Sequence, residues 1–133
     1  MRRKKLADLV HLAWLVMLVA IVACSEPSKE ELVSLAAKGY YDHLIHGEYE
    51  QFMEGVHHAD DPEYRSQLLE NYRRFMAAQQ SSHGGIREVR IVRAKTDTIQ
   101  QYTNVFLTLC FGDSTNEEIV VPMVEQDGRW RMR

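Results

Sequence analysis

The chain has 133 residues, two cysteines and a formal net charge of −3. That length holds one small domain, which excludes a multidomain enzyme or a large α/β barrel, and two cysteines are too few to staple a miniprotein. Apolar residues at 45% and charged ones at 26% are ordinary for a globular protein and exclude wholesale disorder.

Met1-Arg2-Arg3-Lys4-Lys5 opens the chain, and a mostly apolar run follows to Cys24. A basic start, an apolar middle and small residues at the end describe a secretory signal peptide. The apolar run is uninterrupted only after His11, so it falls short of the roughly 20 residues that a spanning helix needs. Ile21-Val22-Ala23-Cys24 resembles the lipobox of bacterial lipoproteins. That resemblance implies a diacylglycerol on the Cys24 thiol, removal of residues 1–23, and fatty acylation of the new amino terminus. The expected location is the bacterial cell envelope, with the outer membrane or the periplasmic face favoured.

Loss of residues 1–23 removes four basic side chains and Asp8, which takes the net charge from −3 to −6. An acidic domain repels phosphate backbones, which argues against nucleic acid as a partner. With Cys24 lipidated only Cys110 remains, so no internal disulfide forms. Cys110 lies in an apolar strand and reads as a small buried hydrophobe.

Residues 24–28 form a short tether, and residues 29–133 the domain. Ser28-Lys29-Glu30-Glu31 fits a capping box. Leu32, Leu35, Ala36, Tyr40, Leu44 and Ile45 then recur at three and four, the period of a long amphipathic helix that stops at His46-Gly47. Glu48 to Met53 forms a second, short helix that packs Phe52 and Met53. Asp61-Pro62 opens a third with Tyr64, Leu68, Tyr72, Phe75 and Met76 on its apolar face, and Gln79 to Gly85 is a polar break. After Gly85 the period becomes two. Strands are expected over about Ile86 to Lys95, Tyr102 to Phe111 and Ile119 to Glu125, with Trp130 and Met132 in a short last one. Pro122 predicts a bulge or an edge, and Asp127-Gly128 a two-residue hairpin.

Helices followed by a meander give an α+β domain, its N-terminal helices packed on a curved antiparallel sheet of about four strands. Three segments carry a resemblance to the cone-shaped family named after nuclear transport factor two: Tyr40 to Tyr49, Gly85 to Val89 and Val124 to Met132 with its Asp-Gly-x-Trp hairpin. The chain looks most like small lipoproteins of unknown function in that superfamily from Bacteroidetes-type bacteria. These motifs are structural, so they speak to fold rather than to function.

Candidate chemistry is sparse. His57-His58-Ala59-Asp60-Asp61 offers imidazoles and carboxylates, but no zinc-type spacing follows and Asp61 serves as a helix cap, so no metal is expected. His43 and His46 share a helix face without a third ligand. Some enzymes of the resembled family use a tyrosine with an aspartate or histidine inside the cone. Here that would fall to Tyr40 and His43, while the strands supply no obvious inward acid. Tyr40, Tyr72, Phe106 and Trp130 are the candidate pocket-lining residues at the mouth of the cone. Arg87, Arg90, Arg93 and Lys95 would form a basic strand face beside Arg129, Arg131 and Arg133. The expected role is a non-enzymatic binding or interaction module without a cofactor, tethered to a membrane through Cys24. Its partner would be an envelope protein, a polymer, a small apolar ligand or a second copy of the chain. A small-molecule isomerase or hydrolase is the alternative.

Overall fold

A computed structural model describes residues 26–133. The leader and Cys24 lie outside the described residues. Helix α1 (Lys29–Ile45) starts at the capping box that the sequence predicts. Ser28 Oγ accepts from the Glu31 N–H at 3.2 Å, and the Glu31 carboxylate accepts from the Ser28 N–H at 3.3 Å. Gly47, at φ 73°, turns the chain into α2 (Tyr49–Glu54). Helix α3 (Pro62–His83) is capped by Asp61, whose carboxylate accepts from the Glu63 N–H at 3.0 Å. It runs through the stretch that the sequence assigns to a polar break. Glutamine favours a helix and serine only weakens one, and the stop comes at Gly84, at φ 73°.

Strands β1 (Ile86–Asp97), β2 (Tyr102–Phe111), β3 (Asn116–Gln126) and β4 (Arg129–Met132) form one antiparallel sheet in chain order. In β2 the alternation is unbroken: Thr103, Val105, Leu107, Leu109 and Phe111 are buried, and the residues between them lie on the outer face. In β1 it fails. Register shifts against β2 fall between Ile86 and Glu88 and between Ile91 and Arg93, so Ile86 and Val89, three residues apart, are both buried, and beyond Val89 the burial fades, with Ile91 38% exposed. Such bulges bend a strand, and they curve the sheet around α1. Pro122 keeps its register with β2, and its carbonyl accepts from the Arg133 N–H at 2.9 Å, just where β4 runs out. Its missing N–H therefore falls at an edge, and no bulge is needed. Asp127 and Gly128 both take positive φ, as a type I′ hairpin requires.

The core lies between α1 and the concave face. Val33, Ala37 and Leu44 of α1 meet Phe52 and Met53 of α2 and Val89, Val105, Leu107, Leu109, Val121 and Met123 of the sheet. Gly55 to His57 run along the free edge of β4. There the Met132 N–H donates to Gly55 O at 2.6 Å and the His57 N–H to Met132 O at 2.7 Å. Gly55 is a position of close approach, since a Cβ there would come within 2.4 Å of the Tyr40 ring.

Helix α3 has no fully buried residue. Its C-terminal end is pinned by a small junction. The His83 ring stacks on Phe111 with centroids 4.4 Å apart, and its Nδ1 meets the Asp113 carboxylate at 2.9 Å. The Thr115 hydroxyl, then His83, then the Thr115 N–H donate to Asp113 and hold its carboxyl at about 2, below the ordinary 3.8. A folded-state pKa below the unfolded one stabilises the fold above the unfolded value, and that stability is lost as pH falls through the folded value. The wild-type melting temperature should therefore fall relative to that of Asp113→Asn as pH drops from about 4 to about 2. Parallel melting curves across that window would contradict the assignment.

Candidate functional site

The concave face is apolar along most of its length and changes character at one end. Thr103 continues the buried phase of β2, and its cross-strand partner is Thr96. Their hydroxyls lie 3.2 Å apart. Across the sheet, Glu125 of β3 is paired with Trp130 of β4, two residues beyond the buried Met123–Met132 pair and so on the same face. Lys29, at the start of α1, reaches over this end. Together with Asp97, Thr98, Gln101 and Tyr102 these residues line an open cleft of about 420 Å³ at the mouth of the cone. Ser34 and Thr103 are the buried polar residues of the described chain, and buried carboxylates or histidines do not occur among the described residues.

The groups in the cleft differ in how far they are already engaged. Asp97 caps the β1–β2 turn: its Oδ1 accepts from the Ile99 and Gln100 N–H groups at 2.9 Å each. Glu125 takes part in none of the side-chain hydrogen bonds or ion pairs seen among the described residues. The Trp130 indole is half-buried and carries the Lys29 ammonium 5.5 Å from its ring centre.

The four aromatics expected at the mouth are not brought together. Only Trp130 lines the cleft. Tyr40 packs on Gly55, and its hydroxyl donates to the Trp130 carbonyl at 2.8 Å, so it supports the cleft from behind. Tyr72 lies on α3 against Phe52, with ring centres 4.6 Å apart. Phe106 is out of phase with the buried residues of β2 and faces outward under the Arg93 guanidinium, 4.0 Å from its ring centre. The cause is register: in a strand, neighbours in sequence lie on opposite faces, and aromatic content alone does not reveal the phase.

The other candidates stay apart as well. His43 Nδ1 lies 3.3 Å from a Glu48 carboxylate oxygen at the surface, and the His46 ring meets Asp42 O at 2.6 Å. The His57 and His58 rings touch, with centres 3.7 Å apart. Partial burial first, then His58, Arg131 and Arg133, hold the His57 pKa below its ordinary value. Groups of three or more His, Cys, Asp or Glu placed to hold a metal do not occur among the described residues. Cys110 is not the buried hydrophobe that the sequence suggests, because it lies half-exposed on the outer face opposite Glu88 and Asn116. Four cations of the expected basic strand face are engaged locally. Arg90 pairs with Glu88 at 3.1 Å, Arg93 covers Phe106, Arg87 donates to Gly112 O at 3.2 Å, and Arg133 lies 5.6 Å from the Tyr102 ring centre.

Helices packed on a curved four-stranded antiparallel sheet, with a cleft at the open end, define the nuclear-transport-factor-two-like class of α+β domain. A solved structure from Campylobacter jejuni, named as a candidate NTF2-like transpeptidase, superposes with a TM-score of 0.57 at 16% identity, covering 72% of this chain and 92% of that one. The likeness establishes the NTF2-like fold. No protein-family model matches the sequence, and no curated protein does.

Proposed function

We propose that the chain is a lipid-anchored protein of the bacterial cell envelope whose NTF2-like domain is a non-enzymatic binding module that engages its ligand at the mouth cleft. The observation that carries the binding role is the distribution of polarity on the concave face. Apolar side chains fill the interior, and polar groups gather at the open end around Trp130. A cleft with one aromatic platform and a few polar groups suits a polar ligand, or the exposed end of an envelope protein or polymer, better than an apolar molecule.

The anchor rests on the lipobox-like Ile21-Val22-Ala23-Cys24. Four residues separate Cys24 from the first residue of α1. At roughly 3.3–3.6 Å per residue they hold the domain close to the bilayer, and two or three acyl chains would anchor it durably. Among the described residues no helix is long and apolar enough to cross a membrane. Replacing Cys24 with serine should move the protein from the membrane fraction to the soluble one and remove the lipid mass from its N-terminal peptide. Unchanged fractionation would overturn the anchor.

The name of the Campylobacter jejuni neighbour favours a second reading, a group-transfer enzyme. Such chemistry needs a nucleophile beside a base. Tyr40 and His43 do not meet, since one hydroxyl is bound to the Trp130 carbonyl and the other side chain lies against Glu48.

A further inference from the structure

We propose that the mouth cleft is a receptor for a primary ammonium group carried on an organic ligand, and that Lys29 is its internal stand-in. The inference rests on the reading of the cleft as the binding site and adds the chemistry of what binds there.

Three observations carry it. Trp130 presents an indole face at the open end of the concave sheet, and an indole attracts a cation more strongly than any other aromatic side chain. Glu125 stands beside it as its cross-strand partner and has no hydrogen-bonding or ionic partner among the described residues, so its exposed carboxylate is available to a cation seated on the indole. A primary ammonium is already present: Lys29 Nζ sits 5.5 Å from the Trp130 ring centre. Lys29 is exposed, and it comes from the first turn of α1 rather than from the strands that form the platform. It can swing aside without disturbing the Ser28–Glu31 cap, in which its side chain takes no part. The Thr96 hydroxyl, backed by that of Thr103 at 3.2 Å, and the amide of Gln101 line the same cleft and offer neutral hydrogen bonds to the remainder of the ligand.

An internal stand-in competes with the ligand, and this gives the idea a sign that ordinary binding residues lack. Removing Lys29 should tighten binding, whereas removing any residue that merely lines the cleft would weaken it. The chain has two tryptophans, so in the full chain carrying Trp14→Phe the indole of Trp130 reports alone. Its fluorescence is titrated with cadaverine and with glucosamine, which distinguish a linear amine from an amino sugar, and with the N-acetylated form of each.

A saturable change with either amine and none with its acetylated form is the expected result. Lys29→Met should raise the affinity about two- to fivefold, and Glu125→Gln should lower it by a similar factor. Both replaced side chains are exposed, so the fold should persist. Should Glu125→Gln lower the melting temperature, the sign of the Lys29→Met effect decides alone. Equal responses to the acetylated probes, no response to either amine, or an affinity that Lys29→Met leaves unchanged or weakens would each overturn the inference. Binding of N-acetylglucosamine without preference for the amine would overturn it and still leave the binding role of the cleft standing. The membrane anchor is tested separately at Cys24.

Discussion

Phe52→Ala should lower the unfolding free energy by about 3–5 kcal/mol. The side chain is fully buried, and its position explains why the loss should sit at the upper end for a small domain. Phe52 belongs to a six-residue helix that could not persist alone, so its place depends on what the ring touches. The ring stands edge-on to Tyr41 of α1, with centres 5.7 Å apart and planes at 82°, and to Tyr72 of α3 at 4.6 Å and 69°. One aromatic thus joins all three helices. Burial raises the pKa of both tyrosines, that of Tyr41 more. Since α3 buries no residue completely, losing the Phe52–Tyr72 contact should loosen α3 beyond the global loss. Denaturant unfolding measures the first effect, and amide exchange in α3, faster than in β2, measures the second. A variant with a wild-type unfolding midpoint would show that the three helices are held by something else.

Where sequence reasoning succeeded and where it failed follows from which signals are local. Caps, turns and strong alternation are properties of neighbouring residues, and they were legible: the Ser28–Glu31 box, the Asp61-Pro62 start, the Asp127-Gly128 hairpin and the phase of β2 from Val105 to Phe111. The end of α3 was not, because polarity alone does not end a helix: Gln79 and Gln80 favour it, Ser81 and Ser82 only weaken it, and the stop comes at Gly84. The candidate site was the least legible part. Thr103 sits two residues before Val105, and Glu125 two after Met123, so each continues an inward phase that the sequence shows. At the mouth these phases turn polar, and apolar alternation no longer marks which residues face inward. Aromatic character is no better a guide, since Tyr40, Tyr72 and Phe106 all lie off the cleft. Which faces meet is decided by register and by the bulges of β1, and neither can be read from composition.

Gly112→Ala should destabilise the domain by about 1–3 kcal/mol through overpacking, although the residue lies in a surface turn. A Cβ on Gly112 would stand 2.5 Å from Gly84 O and 3.0 Å from Gly84 C. Both obstacles are backbone, so no side-chain rotation relieves them. Neither can the backbone yield freely. Gly84, at φ 73°, is the left-handed stop of α3. The strand and helix are also clasped on both sides of it, by the Gly112 N–H donating to Gly85 O and the Asp113 N–H donating to His83 O, each at 2.9 Å. Relief of the clash must lengthen one of these bonds and pull His83 away from Asp113. The effect should therefore couple to the acid-sensitive pair: with Gly112 replaced, the further change Asp113→Asn should cost less than it does alone, so at pH 6 the melting temperatures of Gly112→Ala and of the double variant should lie closer together than those of the wild type and Asp113→Asn. Strict additivity would mean that the junction yields without disturbing the pair. A wild-type melting temperature for Gly112→Ala would mean that the end of α3 is not held by this contact.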